Sequence, residues 1–238
     1  MSEKIATREA YGKALVELGE QNKNVVVLDA DLAGATMTKY FKAAHPERFF
    51  DCGIAEANRA GIAAGLAAAG FKPICHTFGP FASRRCFDQV FLSAGYAKND
   101  LTMIGTDPGV CAAYNGGTHM PFEDVALYRA IPGATVIDVT DTAMLEDILP
   151  KVVARQGVKY MRINRKANDL VYEAGSEFEI GKGVVLREGG DCAIIACGFM
   201  VGRALKAAEM LAEKGISATV VDMFTVTPLD EALVAELA

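Results

Sequence analysis

The sequence predicts an α/β protein with a doubly wound, mainly parallel sheet, followed by a partial second α/β unit. Two observations support this fold class. Apolar runs of strand length alternate along the chain with longer segments of helical pattern, as in folds built from β-α-β units. Hydrophobic residues make up 51% of the 238 residues, which is sufficient for a large buried core.

The elements follow one another in this alternating order. Thr7 is expected to cap a first helix over roughly residues 8–20. The Ala- and Gly-rich segment that ends at residue 70 is predicted to be helical. Strands are predicted at residues 24–30, 49–52, 72–78, 101–107, 134–139 and 158–163. The remaining helices are expected over residues 81–97, 122–130 and 142–154, with Pro80 and Pro121 near first turns.

The composition divides the chain into three parts. Residues 1–165 are predicted to form the α/β domain, and the Gly-rich residues 166–190 a linker with short hairpin-like pieces. Residues 191–238 then begin a strand–helix–strand pattern. This last part is too short for an independent three-layer domain, so we expect it to lean on the first domain or on a partner.

Charge and cysteine usage exclude several classes of protein. The net charge of −6, without a basic stripe, argues against nucleic-acid binding. Six cysteines without a CxxC pair are typical of reduced thiols in the cytoplasm. The N-terminus lacks the apolar core of a signal peptide, and no apolar run could span a membrane. The three histidines show no metal-ligand spacing, so no metal site is predicted in this chain.

One carboxylate is placed unusually. The segment DCGIAEANRAGIAAGLAAAG, residues 51–70, has Glu56 at the start of a helix built from small apolar residues. Burying an ionisable group costs free energy unless a partner binds it. Glu56 is therefore a candidate for ligand binding; the alternative is a solvated first-turn acid that the helix dipole favours.

Several motifs, in order, resemble the pyrimidine-binding domain of transketolase, in the form found as a separate C-terminal subunit of split, two-gene transketolases. The resemblance covers the chain nearly end to end. It is carried by ATREAYGKAL (6–15), LDADLAGAT (28–36), the Glu56 segment, HTFGPF (76–81), GGTHMPFED (116–124) and YMRINRKAN (160–168).

The resemblance implies thiamine diphosphate as cofactor. Glu56 matches the catalytic glutamate that hydrogen-bonds the pyrimidine ring of the cofactor. Phe78 and Phe81 match positions that stack on that ring, and Asp31 matches an acid near the cofactor. Ordinary core packing is the alternative for the two phenylalanines, and a turn role after a strand is the alternative for Asp31.

The resemblance also implies substrate contacts. His119, in a glycine-rich loop, matches a residue that binds substrate oxygens and moves protons. Arg8 and Arg165 match arginines that hold a sugar phosphate, a role that suits the bidentate guanidinium. Without the resemblance, a structural histidine and two surface arginines would be expected.

Three substrate-site positions depart from the family pattern. Asp107 stands where many transketolases have a histidine, and an aspartate repels a phosphate. Ala35 replaces a serine and offers no donor, and Asn115 stands where an acid commonly meets the ketose hydroxyl. We therefore expect a donor sugar other than the standard pentose phosphate.

The diphosphate and metal site of the family is absent from the sequence, because no GDG motif occurs. We therefore predict an N-terminal partner subunit that holds the diphosphate with Mg²⁺ or Ca²⁺, and a dimer of heterodimers. The predicted reaction is transfer of a two-carbon ketol unit between sugar phosphates. Alternatives are a subunit similar to deoxyxylulose-phosphate synthase or to the 2-oxoacid dehydrogenase β chain, or a non-catalytic scaffolding subunit.

Overall fold

The computed structural model of the protein describes residues 6–238. The N-terminal segment, which is predicted not to be a signal peptide, lies partly outside the described residues, at residues 1–5. Ten strands in the described range form a seven-stranded and a three-stranded sheet. The strands are β1 Val25–Asp29, β2 Phe49–Asp51, β3 Lys72–Phe78, β4 Leu101–Thr106, β5 Thr135–Asp138, β6 Val158–Ile163, β7 Val184–Arg187, β8 Cys192–Ala196, β9 Ala218–Asp222 and β10 Thr225–Thr227.

The large sheet is doubly wound, as predicted. Its strand order is β10-β5-β6-β4-β3-β1-β2, and only β10 runs antiparallel to its neighbour. From β1 the chain first moves outward to β2 and then returns to place β3 on the other side. This reversal creates a crevice at the carboxyl ends of β1 and β3, where ligands bind in open α/β sheets.

Helices cover both faces of the large sheet. Alternate residues of β1 enter opposite cores: Val25 and Val27 pack on one side, Val26 and Leu28 on the other. The helices are α1 Thr7–Gln21, α2 Ala33–Thr36, α3 Lys39–Ala44, α4 Glu56–Ala68, α5 Gly79–Ala82, α6 Phe87–Gln89, α7 Asp124–Arg129, α8 Thr142–Ala154, α9 Met200–Ala212 and α10 Glu231–Glu236. Short 3₁₀ turns lie at Pro46–Arg48, Ala113–Asn115 and Gly117–His119.

Two local predictions are wrong. The first helix begins after Ala6, and the hydroxyl of Thr7 donates to the Lys166 carbonyl instead of capping the helix. The helix expected over residues 81–97 is broken at residues 83–86 and continues through α6 into a π-helix over residues 90–96. Ser83 leaves the helical region, with φ −113° and ψ −96°, and its hydroxyl donates to the Gly79 carbonyl.

The C-terminal part packs against the first domain. Its small sheet, β7-β9-β8, is covered by α9, while β10 extends the large sheet beside β5. Strand β7 lies within the segment predicted as a linker and pairs antiparallel with β9. Phe178 and Phe224 enter the core of the first domain. In the described range, no helix is long and apolar enough to cross a membrane.

Candidate active site

Four parallel strands bring predicted site residues to one edge of the large sheet. Asp31, Phe78, Asp107 and Arg165 follow or end β1, β3, β4 and β6 respectively. Because carboxyl ends of parallel strands share an edge, residues far apart in sequence meet there. The side chain of Glu56 joins them from the start of α4, which follows β2.

The Glu56 side chain is buried, with 3% of its surface exposed. Its Oε1 accepts a hydrogen bond from Nη1 of Arg85 at 2.7 Å, and the Arg85 side chain is 42% exposed. One turn further along α4, the fully buried Arg59 donates to the carbonyl of His76 at 2.7 Å. The glutamate is therefore a buried acid with one partly exposed cationic partner.

An aromatic cluster stands beside this acid. The Phe78 and Phe81 rings meet edge to face at 5.9 Å, and the His119 ring lies 5.1 Å from each. Gly79 permits this arrangement, because a Cβ at that position would lie 2.6 Å from the Pro121 ring. The loop that carries His119 can therefore approach the end of β3 closely.

The loop of His119 is held by specific contacts. Gly116, at φ 77° and ψ −176°, adopts a conformation that is almost restricted to glycine, and it opens the turn before His119. The Thr118 hydroxyl lies 2.9 Å from Nδ1 of His119. Arg84 pairs with Glu123 at 2.8 Å, and it donates to the carbonyls of residues 117 and 118.

Arg85 also lies over an aromatic ring. Its guanidinium carbon is 3.7 Å from the centroid of the Phe81 ring, while Nη1 contacts Glu56. A flat group with in-plane N–H donors thus fits between this ring and this carboxylate. An aminopyrimidine is also flat and carries N–H donors, so these residues fit the pyrimidine of thiamine diphosphate.

A second acid–arginine pair lies at the ends of β4 and β6. Asp107 Oδ2 accepts from Nε of Arg165 at 2.9 Å, and Nη2 lies 2.8 Å away. The Arg165 guanidinium carbon is 4.8 Å from the centroid of the Phe78 ring. Burial raises the pKa of the Asp107 carboxyl, although Arg165 and Arg8 act to lower it. Asp107 has a positive φ of 62°, a conformation that Asp and Asn adopt more readily than most residues.

The remaining predicted residues are placed less centrally. Nη1 of Arg8 donates to the Ala35 carbonyl at 3.1 Å. Asp31 is exposed at φ 60°, with its backbone N–H donating to Asp51. Asn115 is exposed on the turn that precedes the His119 loop.

Sequence reasoning missed two residues of this edge. Asp29, fully buried, accepts hydrogen bonds from the hydroxyls of Thr36 and Thr38 and holds the loop that carries Ala35. Its position as the last residue of an apolar strand was the available signal. For Arg85 the only signal in the sequence was the pair of adjacent arginines at positions 84 and 85. Across residues 6–238, no group of three or more His, Cys, Asp or Glu side chains could hold a metal ion.

Sequence comparison identifies the family. The sequence profile of the transketolase pyrimidine-binding domain matches residues 3–169, which is more than half of the chain. The chain belongs to the transketolase family. The profile of the transketolase C-terminal domain matches residues 181–238. The predicted α/β fold class is confirmed by this family and by the doubly wound sheet.

Three individual proteins show which kinds of transketolase the chain is similar to. Over 231 residues the chain is 46% identical to the 6-deoxy-6-sulfo-D-fructose transketolase subunit SqwH of Clostridium sp., covering 97% of this chain and 72% of that protein. It is 35% identical to Homo sapiens transketolase, covering the whole chain and 38% of that longer protein. A solved split gene transketolase, an inactive β4 tetramer, gives a TM-score of 0.90 at 44% identity, covering 98% of this chain and 76% of that one.

These similarities confirm two predictions. The chain is of the kind found as the C-terminal subunit of split transketolases, and it is a thiamine-dependent, transketolase-type subunit. The roles of individual site residues, such as Glu56 and His119, stay predictions.

Proposed function

We propose that this chain is the pyrimidine-side subunit of a two-component transketolase that uses thiamine diphosphate to move a two-carbon ketol unit between anionic sugars. One observation carries the proposal. The buried carboxylate of Glu56 and the rings of Phe78 and Phe81 border a space where a flat N–H donor already lies. An aminopyrimidine is likewise flat and carries N–H donors, so we assign these three side chains to its binding.

Glu56 is the proposed catalytic acid. When bound, thiamine diphosphate supplies the carbon nucleophile of the reaction. Glu56 would accept a hydrogen bond from a ring nitrogen of the pyrimidine and would stabilise the added proton there. Because Glu56 is 3% exposed, water competes weakly for this bond, and the interaction is stronger than at the surface.

His119 is the proposed proton donor and acceptor toward the sugar. Thr118 occupies Nδ1 of its ring, which leaves the other nitrogen, Nε2, for a substrate oxygen. The two phenylalanine rings fix the plane of the imidazole. Arg84 restrains the loop that carries it, so the histidine is held in place before substrate arrives.

Arg8 and Arg165 are the proposed anion-binding residues. The buried Nε of Arg8 has no hydrogen-bond partner among residues 6–238, and it is therefore available to an anion. Asp107 already neutralises part of the charge on Arg165, which favours a singly charged group over a doubly charged phosphate. A sulfonate carries one negative charge, and a relative at 46% identity is named for a sulfo-sugar transketolase.

A partner subunit is proposed to complete the site. The described residues offer no metal-binding group for a diphosphate, and the solved relative is an inactive tetramer of β chains alone. Large apolar side chains stand exposed in segments flanking the site: Ile54 at 76%, Tyr114 at 97% and Phe122 at 69%. We assign their burial to a diphosphate-binding subunit that carries Mg²⁺ or Ca²⁺, within a dimer of heterodimers in the cytoplasm.

The test is reconstitution of the two-component enzyme. The chain, the diphosphate-binding subunit and their mixture are assayed for ketol transfer, with xylulose 5-phosphate, fructose 6-phosphate and 6-deoxy-6-sulfofructose as donors. Transfer is expected in the mixture alone, with the sulfo-sugar preferred. A mixture that forms a complex and binds cofactor, yet transfers from no donor, would favour a non-catalytic subunit.

A further inference from the structure

Arg85 makes two contacts that a bound pyrimidine would also make. Nη1 donates to the buried Glu56 carboxylate at 2.7 Å, and the guanidinium lies over the Phe81 ring at 3.7 Å. Both partners are residues that the proposed function assigns to the pyrimidine. Arg85 and a pyrimidine that uses Oε1 of Glu56 and the same face of the Phe81 ring therefore compete for these contacts.

The chemistry of the guanidinium explains why it suits this position. It is planar, delocalised and weakly hydrated, and it stacks on aromatic rings while its in-plane N–H groups donate. A lysine would supply the charge without the plane. An aminopyrimidine shares the planar shape and the in-plane donors, so the same ring and carboxylate accept both groups.

Glu56 needs such a partner when no cofactor is bound. A buried carboxylate without a partner is costly, and removal of one member of a buried pair is strongly destabilising. Arg59, one turn away, donates to the backbone carbonyl of His76, not to Glu56. Arg85 thus supplies the buried Glu56 carboxylate with a charged hydrogen-bond partner when no cofactor is bound.

The Arg85 side chain also lies where it can move away from Glu56 and Phe81 into solvent. It lies on the turn at residues 83–86, between two short helices, and its side chain is 42% exposed. Arg59, by contrast, is fully buried on α4. Rotation of the Arg85 side chain into solvent would free Phe81 and Glu56 without movement of either element that carries them.

We propose that Arg85 is a resident occupant of the pyrimidine position, which stabilises the cofactor-free subunit and is displaced when thiamine diphosphate binds. This inference rests on the proposed function. It makes cofactor affinity depend on the fraction of molecules in which Arg85 has moved away, so the apparent dissociation constant is higher than that of the open site.

The experiment measures pyrimidine binding directly. The probe is 4-amino-5-hydroxymethyl-2-methylpyrimidine, titrated into the 238-residue chain by NMR; thiamine diphosphate with Mg²⁺ is titrated into the reconstituted complex by calorimetry. Arg85→Ala is expected to tighten binding by about tenfold, the gain from removing one partly exposed ion pair and its ring contact. Arg85→Lys is expected to gain less.

Arg84→Ala is the matched control, because it removes the same charge from the adjacent residue, which contacts Glu123 and not Glu56. It is expected to give no gain in affinity. Thermal unfolding without ligand supplies a second readout: Arg85→Ala lowers the midpoint, and saturating pyrimidine reduces the difference from the parent. A cycle with Glu56→Gln is expected to show coupling between residues 56 and 85.

The possible failures are distinguishable. Equal or weaker pyrimidine binding by Arg85→Ala, with a parent that binds, overturns the occupant role and leaves the proposed function standing. Absence of coupling between residues 56 and 85 also overturns the occupant role. If no variant binds the probe and the complex binds no thiamine diphosphate, the proposed function fails and the occupant role fails with it.

Discussion

Two acid–arginine–phenylalanine arrangements stand side by side at the carboxyl edge of the sheet. In the first, the buried Glu56 pairs with Arg85, which lies over Phe81. In the second, the buried Asp107 pairs with Arg165, which lies over Phe78. The two phenylalanine rings contact each other, and His119 contacts both. The same three kinds of side chain therefore appear twice within one site.

The difference between the arrangements lies in how each arginine is held. Arg85 makes one hydrogen bond from an exposed turn, and its side chain is 42% exposed. Arg165 has Nε at 2.9 Å and Nη2 at 2.8 Å from one carboxylate oxygen, and it is 28% exposed. On the proposals made above, a ligand replaces the first pair, whereas the second pair persists and sets the charge that the substrate meets.

The largest expected effect comes from Glu56→Gln, which keeps the shape of the side chain and removes its charge. In the reconstituted enzyme we expect kcat to fall by about 10²- to 10⁴-fold, the range for loss of a general acid–base group. Proton–deuterium exchange at C2 of the cofactor measures the affected step. Glu20→Gln, on the exposed face of α1, is the control; exchange at the parent rate in Glu56→Gln would make Glu56 structural.

Asp222 is a buried acid that, within residues 6–238, pairs with hydroxyl groups and not with an arginine. Oδ2 accepts hydrogen bonds from the hydroxyls of Thr140 at 2.6 Å and Tyr172 at 2.8 Å. Burial, reinforced by Asp138 and Asp141, raises its pKa to about 7 despite these hydrogen bonds. Between the ordinary aspartate pKa and this value, the folded protein keeps a proton that the unfolded chain has released.

The contribution of Asp222 to the free energy of unfolding should therefore fall as pH rises from about 4 to 7, and then level off. Denaturant titrations of the parent and of Asp222→Asn, at pH 5, 6, 7 and 8, isolate this effect. The asparagine variant should gain stability relative to the parent by a few kcal/mol across that range. A difference between the two proteins that is constant with pH would contradict the assignment.

Asp107→Asn tests the pair of Asp107 and Arg165, and its expected effect on catalysis is smaller than that of Glu56→Gln. Asparagine tolerates the left-handed conformation at φ 62°, so the change removes charge without adding strain. Arg165 loses its counter-charge, and KM for phosphorylated donors should fall by about fivefold, corresponding to about 1 kcal/mol for the loss of one screened like-charge repulsion. KM for a sulfo-sugar should fall less.

A donor panel, with Asp107→His run beside it, measures the preference. If the parent enzyme already favours xylulose 5-phosphate and neither variant gains phosphate affinity, the proposed role of Asp107 in donor choice is wrong. The ordinary pentose-phosphate specificity would then stand.

The smallest effect is expected for Arg84→Ala, which releases the loop of His119 without touching either pair. We expect kcat/KM to fall by about two- to fivefold, the scale of one partly exposed ion pair with weak backbone contacts. Pyrimidine affinity should stay unchanged. Steady-state kinetics measures kcat/KM, and the calorimetric titration measures cofactor affinity. A loss of cofactor affinity would contradict the assignment of Arg84 to the histidine loop.

Much of this edge could be predicted from sequence because its residues lie in motifs that resemble those of the transketolase family, and because the alternating pattern locates the strands that carry them. The six strands predicted for the first domain differ from β1–β6 by at most one residue at each end, and the helix over residues 142–154 has the predicted bounds. Strands β7 and β10 were not predicted with bounds. The orientation of Arg85 could not be predicted, since it depends on the break at Ser83. The pairing of Asp107 with Arg165 joins residues 58 positions apart and required β4 to lie beside β6.

The central claim is that this chain holds the pyrimidine half of the cofactor site and needs a second subunit for the rest. Calorimetric titration of thiamine diphosphate with Mg²⁺ tests it most directly, first into the isolated chain and then into the reconstituted pair. We predict no micromolar binding by the chain alone and micromolar or tighter binding by the pair. Micromolar binding by the isolated chain would contradict the two-component account.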